Sequence, residues 1–245
     1  MVTRAPSWAD FDLAPEAFRQ ALHNLAPFTL SEGIRAFYRL YAQRFEKHRW
    51  GDKTPTYGLH LRTLQRLLPE ARFIHLIRDG RDVALSMRGL WFAPGTTIDA
   101  LATDWCRRIT TIRRLGRRCY HYLEVRYETL VREPVETLAE ICRFVELPYS
   151  PQMHGYFNQA RSRLDELKTW LKPDGSVLIS KEERLFNHRF TNQPPDASRV
   201  FRWKRDMTQE MREQFERIAG PLLEELGYER TMATRGWTCR LRAHG

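Results

Sequence analysis

The strongest structural signal in the chain is the segment Phe73-Ile74-His75-Leu76-Ile77-Arg78-Asp79-Gly80-Arg81-Asp82-Val83-Ala84-Leu85-Ser86. Its first half is an almost continuous apolar run, typical of a parallel strand buried on both faces, and predicts a strand over Ala71 to Arg78. Asp79-Gly80 predicts a tight turn, after which apolar residues return at helical spacing. We expect Asp82 to cap this helix. The segment therefore predicts a strand, a turn and a helix.

The remaining sequence predicts more helices and a second strand. Helical spacing of apolar residues predicts helices over Pro15 to Leu25, from an N-cap at Ser31 to Phe45, over Tyr57 to Leu68, over Ile98 to Leu115, from Pro134 to Val145, and from Thr208 to a stop at Gly227. Tyr120 to Tyr127 predicts the second strand. Lys172 to Ser198 is polar and predicts a long loop. Alternating strands and helices indicate an α/β fold with a parallel sheet flanked by helices.

Composition limits the class of protein. The 245 residues are 42% apolar and 29% charged, as in one globular domain with room for an appended lobe, which argues against disorder and low complexity. No apolar run approaches the length of a membrane span, and the N-terminus lacks the apolar core of a signal peptide. The 40 Lys and Arg against 30 Asp and Glu give a net charge of +10, which favours anionic partners.

The cysteines predict neither a disulfide framework nor a zinc site. The four cysteines lie far apart in sequence with no CxxC pair, at Cys106, Cys119, Cys142 and Cys239. We therefore expect reduced thiols, a cytoplasmic location and no metal.

An anion site is expected where the first strand ends. Ligands of open α/β sheets bind at the carboxyl ends of strands, and a helix N-terminus offers free N–H groups to an anion. Arg78 adds a fork of donors and Ser86 a hydroxyl, so these groups together could hold one phosphate. The alternative is that Arg78, Asp79, Arg81 and Asp82 form a solvated charge cluster at the start of the helix.

Two other basic segments are candidates for ligand binding. Lys53 lies in the loop from Trp50 to Pro55, where a fixed ammonium could stabilise negative charge on a leaving oxygen. The alternative is a surface lysine. The basic cluster of Ser198-Arg199 with Arg202-Trp203-Lys204 could close over an anion or form the charged edge of the last helix.

One predicted helix is rich in arginine, which raises the question of nucleic-acid binding. Trp105 and Ile109 give the same helix an apolar face, which favours a buried amphipathic helix with snorkelling arginines. Aromatic residues are not interleaved with the arginines as a stacking platform needs, so we expect no nucleic-acid partner.

Several segments, in the same order, resemble the sulfotransferase family. They are Gly51-Asp52-Lys53-Thr54-Pro55, the segment Phe73 to Ser86, Val125-Arg126-Tyr127-Glu128-Thr129-Leu130-Val131, Ile179-Ser180-Lys181-Glu182-Glu183-Arg184, Arg202-Trp203-Lys204, and Leu222-Leu223-Glu224-Glu225-Leu226-Gly227-Tyr228. The segment around Ser180 is similar to a loop of the tyrosylprotein branch, and the last segments are similar to bacterial members. The resemblance covers about Gly51 to Tyr228.

The resemblance implies a P-loop-like α/β domain over residues 1–228, followed by a basic tail over 229–245. It implies transfer of a sulfuryl group from 3′-phosphoadenosine 5′-phosphosulfate (PAPS) to a hydroxyl or amine acceptor, without a metal.

The resemblance also implies roles for individual residues. Carried over by position, Arg78 and Ser86 would bind the 3′-phosphate, and Tyr127 would lie near the adenosine. Lys53 and Ser180 would contact the oxygen that bridges the 5′-phosphate and the sulfuryl group. Arg202, Trp203 and Lys204 would close over the nucleotide.

One family feature has no counterpart in this sequence. The family pattern begins with a strand and a loop similar to PRSGTT, which wraps the 5′-phosphosulfate, and its usual base follows soon after. Asp52 and His60 lie near the right loop, but no motif supports either as the base. We expect a fragment whose upstream reading frame encodes the missing strand and loop, without which this chain could be inactive. The alternatives are a degenerate member, and a non-catalytic protein that binds PAPS or adenosine bisphosphate.

Overall fold

The computed structural model describes residues 4–90 and 92–231. In chain order its helices and strands are α1 (Pro15–His23), α2 (Leu30–Gln43), α3 (Leu61–Leu67), β1 (Phe73–Ile77), α4 (Gly80–Met87), α5 (Ile98–Gly116), β2 (Tyr122–Arg126), α6 (Tyr127–Arg132), α7 (Pro134–Val145), α8 (Tyr156–Asp165), β3 (Trp170–Leu171), β4 (Val177–Ile179), α9 (Lys181–Asn187), α10 (Trp203–Asp206) and α11 (Gln209–Glu225). Within these residues, no helix has both the length and the apolar character needed to cross a membrane.

The described chain forms two compact units. The first comprises residues 4–72, 119–121 and 134–196 and contains α1 to α3, α7 to α9 and an antiparallel β3–β4 hairpin. The second comprises residues 73–90, 92–118, 122–133 and 197–231 and contains β1, β2, α4 to α6, α10 and α11. The boundary at residue 228 stays a prediction, and most of the proposed tail, including Cys239, lies outside the described residues.

The second unit has the predicted α/β character. Strands β1 and β2 pair in parallel, in register from Phe73 opposite Tyr122 to Ile77 opposite Arg126. The expectation that β1 is buried on both faces is wrong, because Ile74 and Leu76 are 43% and 47% exposed. Among the described residues β1 pairs with β2 alone, and only the face that carries Ile77 joins the core.

Gly80 lets the turn after β1 approach the core closely. A Cβ on Gly80 would lie 2.5 Å from the Trp105 ring and 2.7 Å from the Phe215 ring. Both aromatic side chains belong to the buried cluster that joins α4, α5 and α11. Any larger residue would push α4 away from these helices, so the glycine of the predicted turn is required by packing.

Two predicted helix starts are wrong by a few residues. Thr29, not Ser31, caps α2, because its hydroxyl accepts a hydrogen bond from the N–H of Glu32 at 3.1 Å. Asp79, not Asp82, caps α4, since its carboxylate accepts from the N–H of Arg81 at 2.9 Å. The residue nearest the turn is the one whose side chain can reach the free amides of the first helical turn.

The long loop predicted over Lys172 to Ser198 is also wrong, because β4 and α9 lie inside it. Gly175, at φ +82°, closes the hairpin between β3 and β4. Ser180 and Glu183 then form a capping box that starts α9. The segment is too short and polar to show apolar periodicity, so only these local turn and cap signals identify its structure.

His75 makes the stability of the second unit sensitive to acid. Its Nδ1 lies 2.6 Å from the Tyr122 hydroxyl, and burial lowers the pKa of the imidazole from 6.5 to about 4. Between these values the unfolded chain binds more protons than the folded one, so stability is lost as the pH falls from 6.5 towards 4. The full shift corresponds to about 3 kcal/mol. In urea titrations at several pH values, we expect His75→Gln to flatten this loss and His23→Gln, at an exposed residue of α1, to leave it intact. Equal pH dependence in the two variants would refute the assignment.

Candidate functional site

Arg78 lies at the carboxyl end of β1 and is held from three directions. Its Nη2 donates to the backbone oxygen of Arg199 at 2.7 Å and lies 3.5 Å from the Asp82 carboxylate. Its guanidinium carbon lies 4.5 Å from the centre of the Tyr127 ring, at the start of α6. Its side chain is 18% exposed. The guanidinium is therefore oriented while one part of it still faces solvent.

Arg202 connects this group to Ser86. Its Nη2 lies 3.3 Å from the Ser86 hydroxyl on α4. The pKa of the Arg202 guanidinium is lowered, first by burial and then by the positive charges of Arg199 and Arg78. We call Arg78, Ser86, Arg199 and Arg202 the arginine cluster. Its like charges repel one another, so binding an anion would relieve an existing electrostatic cost.

The arginine cluster also has unused donors. The Nε atoms of Arg78 and Arg202 are buried and have no hydrogen-bond partner among the described residues. Buried polar atoms normally find partners, and guanidinium groups match the geometry of phosphate oxygens. The residues present therefore fit a phosphate monoester, which accepts several hydrogen bonds and carries close to two negative charges.

Asp82 fixes the chain segment that supplies Arg202. The Asp82 side chain is fully buried and accepts hydrogen bonds from the backbone N–H groups of Phe201 and Trp203, both at 2.9 Å. Phe201 has a φ of +55°, a conformation that a bulky residue adopts only when its surroundings impose it. Burial raises the pKa of Asp82, although both N–H groups and Arg78 favour the charged form. Asp82 thus holds a strained turn against α4.

At the N-terminus of α4, where the sequence predicts an anion site, two backbone N–H groups already have side-chain partners. The Asp79 carboxylate already occupies the Arg81 N–H, and Glu128 accepts the N–H of Asp79 at 2.9 Å. The alternative of a solvated charge cluster is wrong, because Asp79, Arg81 and Asp82 have no exposed surface. The anion site stays a prediction, and the side chains of the arginine cluster are groups available to an anion there.

The other residues that the sequence predicts to bind the nucleotide have different surroundings. Tyr127 packs under Arg78. The Trp203 side chain is 1% exposed and lies against the Arg81 guanidinium, 3.5 Å from its carbon, so it supports the segment from inside. The Lys204 ammonium pairs with Glu229 at 2.5 Å and is otherwise exposed.

The first unit contains the two predicted catalytic residues, each in a structured setting. Lys53 is exposed in the loop between Trp50 and the 3₁₀ turn Pro55–His60. Ser180 is the N-cap of α9, and its hydroxyl accepts from the Glu183 N–H at 3.1 Å. Because the hydroxyl acts there only as an acceptor, its own proton remains available for donation to a ligand oxygen.

Sequence reasoning missed the buried acidic residues that support the arginine cluster. Glu128 accepts hydrogen bonds from the Asp79 N–H and the Tyr228 hydroxyl, and Glu216 pairs with Arg81 at 2.7 Å. Glu128 lies in the segment from Val125 to Val131, but its burial has no sequence signal of its own. Glu216 lies on the buried face of α11 among Phe215, Ala219 and Leu223, and this helical spacing is the signal that could have identified it.

Comparison with known proteins assigns the family. The sequence model of the sulfotransferase family matches residues 6–151. A putative protein-tyrosine sulfotransferase of Caenorhabditis elegans is 34% identical over 110 residues, covering 42% of this chain and 41% of that protein. Nodulation protein NoeE of Sinorhizobium fredii is 26% identical over 221 residues, covering 80% of this chain and 48% of that protein. The chain thus spans under half the length of these relatives.

Solved structures agree on the fold. The sulfotransferase domain from the curacin biosynthetic pathway superposes with a TM-score of 0.53 at 19% identity, covering 80% of this chain and 69% of that domain. The sulfotransferase domain of the Synechococcus PCC 7002 olefin synthase gives a TM-score of 0.51 at 19% identity, covering 92% and 81% of the two chains. The predicted α/β fold is confirmed, and with a family model that matches more than half of its residues, the chain belongs to the sulfotransferase family.

Proposed function

We propose that this chain is a PAPS-dependent sulfotransferase that moves a sulfuryl group to a hydroxyl or amine acceptor. The observation that carries the proposal is the arginine cluster, in which Arg202 contacts the Ser86 hydroxyl and the buried Nε atoms of Arg78 and Arg202 have no hydrogen-bond partner among the described residues. Family membership supplies the class of reaction. The relatives named protein-tyrosine sulfotransferases support a hydroxyl acceptor.

In this proposal Arg78, Ser86 and Arg202 bind the 3′-phosphate of the donor, while Tyr127 lies near its adenosine. Asp82 keeps Arg202 in place through the backbone of the neighbouring residues. PAPS carries roughly four negative charges near neutral pH, so a basic cluster concentrates it.

Lys53 and Ser180 would act on the bridging oxygen between the 5′-phosphate and the sulfuryl group. As the bond from sulfur to that oxygen breaks, negative charge develops on the oxygen. An ammonium and a hydroxyl donor fixed there lower the barrier. Sulfuryl transfer, by analogy with phosphoryl transfer, depends on positioning and electrostatics. These two roles rest on the sequence resemblance.

We also infer a cytoplasmic setting. The four cysteines are widely spaced in sequence with no CxxC pair, which supports a reducing compartment.

The proposal is tested with PAPS labelled in its sulfuryl group, offered with a small phenol or a primary amine. We expect label on the acceptor and one equivalent of 3′,5′-adenosine bisphosphate. Ser86→Ala should raise the KM for PAPS about tenfold, since it removes one hydrogen bond to a charged group, with little change in kcat. Binding of the bisphosphate without label transfer would instead indicate a non-catalytic nucleotide-binding protein, and absence of both would refute the proposal.

A further inference from the structure

Asp52, which directly precedes Lys53, binds two hydroxyl groups. The Tyr38 hydroxyl donates to Oδ2 of the carboxylate, and the Thr54 hydroxyl donates to Oδ1 at 2.6 Å. Hydrogen bonds to a carboxylate are stronger than those between neutral groups. Both oxygens of Asp52 are therefore engaged, one by a residue of α2 and one by a residue of the same loop.

Tyr38 is itself fixed on a helix. It lies in α2, and its ring stacks on Trp50 with centroids 4.1 Å apart and an interplanar angle of 10°. The Phe37 ring contacts it edge-on at 5.1 Å. The pKa of Tyr38 is raised, first by burial and then by the Asp52 carboxylate, so the phenol keeps its proton and acts as a donor. Because the ring has one orientation, the hydroxyl holds Asp52 in one place.

The Lys53 side chain is exposed to solvent. Among the described residues it has no ion pair, although a carboxylate adjoins it in sequence. A free carboxylate beside a lysine on a mobile loop can pair with it and neutralise it. Here both oxygens of that carboxylate are satisfied by hydroxyls, and the same bonds restrict the loop.

We propose that Tyr38 and Asp52 are positioning residues for Lys53. They anchor the loop 51–54 to α2 and keep the carboxylate away from the ammonium. The inference rests on the proposed function, in which Lys53 stabilises charge on the bridging oxygen. It also gives Asp52 a role other than that of general base, because both of its oxygens already accept hydrogen bonds from hydroxyl groups.

The direct test removes one hydroxyl. Tyr38→Phe keeps the aromatic ring and its stacking but releases Oδ2 of Asp52. We expect kcat for PAPS-dependent sulfuryl transfer to fall about 10- to 100-fold, the scale of a small misplacement of a catalytic group. The Kd for 3′,5′-adenosine bisphosphate should not change. Tyr41→Phe, which removes another hydroxyl of α2 that bonds to Arg163 and Glu166, is the matched control and should keep the wild-type kcat.

A double-mutant cycle separates positioning from a general structural effect. If Tyr38 acts through Lys53, Tyr38→Phe should cost nothing further in kcat when Lys53 is already alanine. An equal loss in both backgrounds would overturn the inference. Asp52→Asn should restore part of the activity lost in Asp52→Ala, because the amide oxygen can still accept one of the two hydrogen bonds.

Failure of this inference is distinguishable from failure of the proposed function. Loss of activity in Lys53→Ala combined with wild-type kcat in Tyr38→Phe would refute the positioning role alone. Wild-type kcat in both variants would refute the role of Lys53, and the inference with it. Urea unfolding midpoints of Tyr38→Phe and Tyr41→Phe show whether either variant has lost its fold.

Discussion

Lys53→Ala is expected to lower kcat by about 100- to 1,000-fold, the effect of removing one oxyanion donor from an active site. The ammonium is exposed, so the variant should fold with wild-type stability. The KM for PAPS should change much less, because the charge that Lys53 stabilises develops on the bridging oxygen only as its bond to sulfur breaks. The measurement is a single-turnover assay that follows formation of 3′,5′-adenosine bisphosphate.

The matched control for this experiment is Lys47→Ala, which removes an exposed positive charge from the same unit. We expect this variant to keep the wild-type kcat. A parallel decrease in both variants would mean that net charge, and not a positioned ammonium, governs the rate.

Glu216→Ala should lower the free energy of unfolding by about 3–5 kcal/mol, as expected when one partner of a buried ion pair is removed. Arg81, Asp79 and Glu216 are fully buried together. Arg81 donates to Glu216 at 2.7 Å and to Asp79 at 2.8 Å and 3.0 Å. Without Glu216 the positive charge of Arg81 is only partly neutralised. It stays in the protein interior, where water cannot solvate it. Denaturation by urea measures the difference.

Glu213→Ala, an exposed position on the same helix, is the control and should change stability by less than about 0.5 kcal/mol. The Arg81 guanidinium also lies against Trp203, next to Arg202. We therefore expect Glu216→Ala to weaken binding of 3′,5′-adenosine bisphosphate as well. A small loss of stability in Glu216→Ala would show that water reaches the buried pair.

The core of the second unit could be predicted because its signals are local. The apolar run of β1 and the glycine at position 80 are both visible within one short segment. Thr208 and Gly227 likewise mark the ends of α11, where the structure has an N-cap and a residue at φ +72°. Each signal depends on neighbours in sequence, so no knowledge of the tertiary structure is needed.

The support of the arginine cluster could not be predicted in the same way. Asp82 looks like a helix cap in sequence, yet it bonds to backbone amides about 120 residues later. Arg81 looks like a surface arginine, and only its contacts with Glu216 and Trp203 show that it is buried. A charged residue reveals its burial only when the residues that neutralise it are known. The bond between Tyr38 and Asp52 has no sequence signal either, because it joins α2 to a separate loop.

The most direct test of the phosphate assignment is calorimetric titration with 3′,5′-adenosine bisphosphate and with 5′-adenosine monophosphate, which differ by the 3′-phosphate alone. The arginine cluster predicts tighter binding of the bisphosphate by about 10- to 100-fold, the value of one or two charged hydrogen bonds. Arg202→Gln should abolish most of this preference, while Arg205→Gln, an exposed neighbour, should retain it. Equal affinity of the wild-type protein for both nucleotides, or an unchanged preference in Arg202→Gln, would contradict the account.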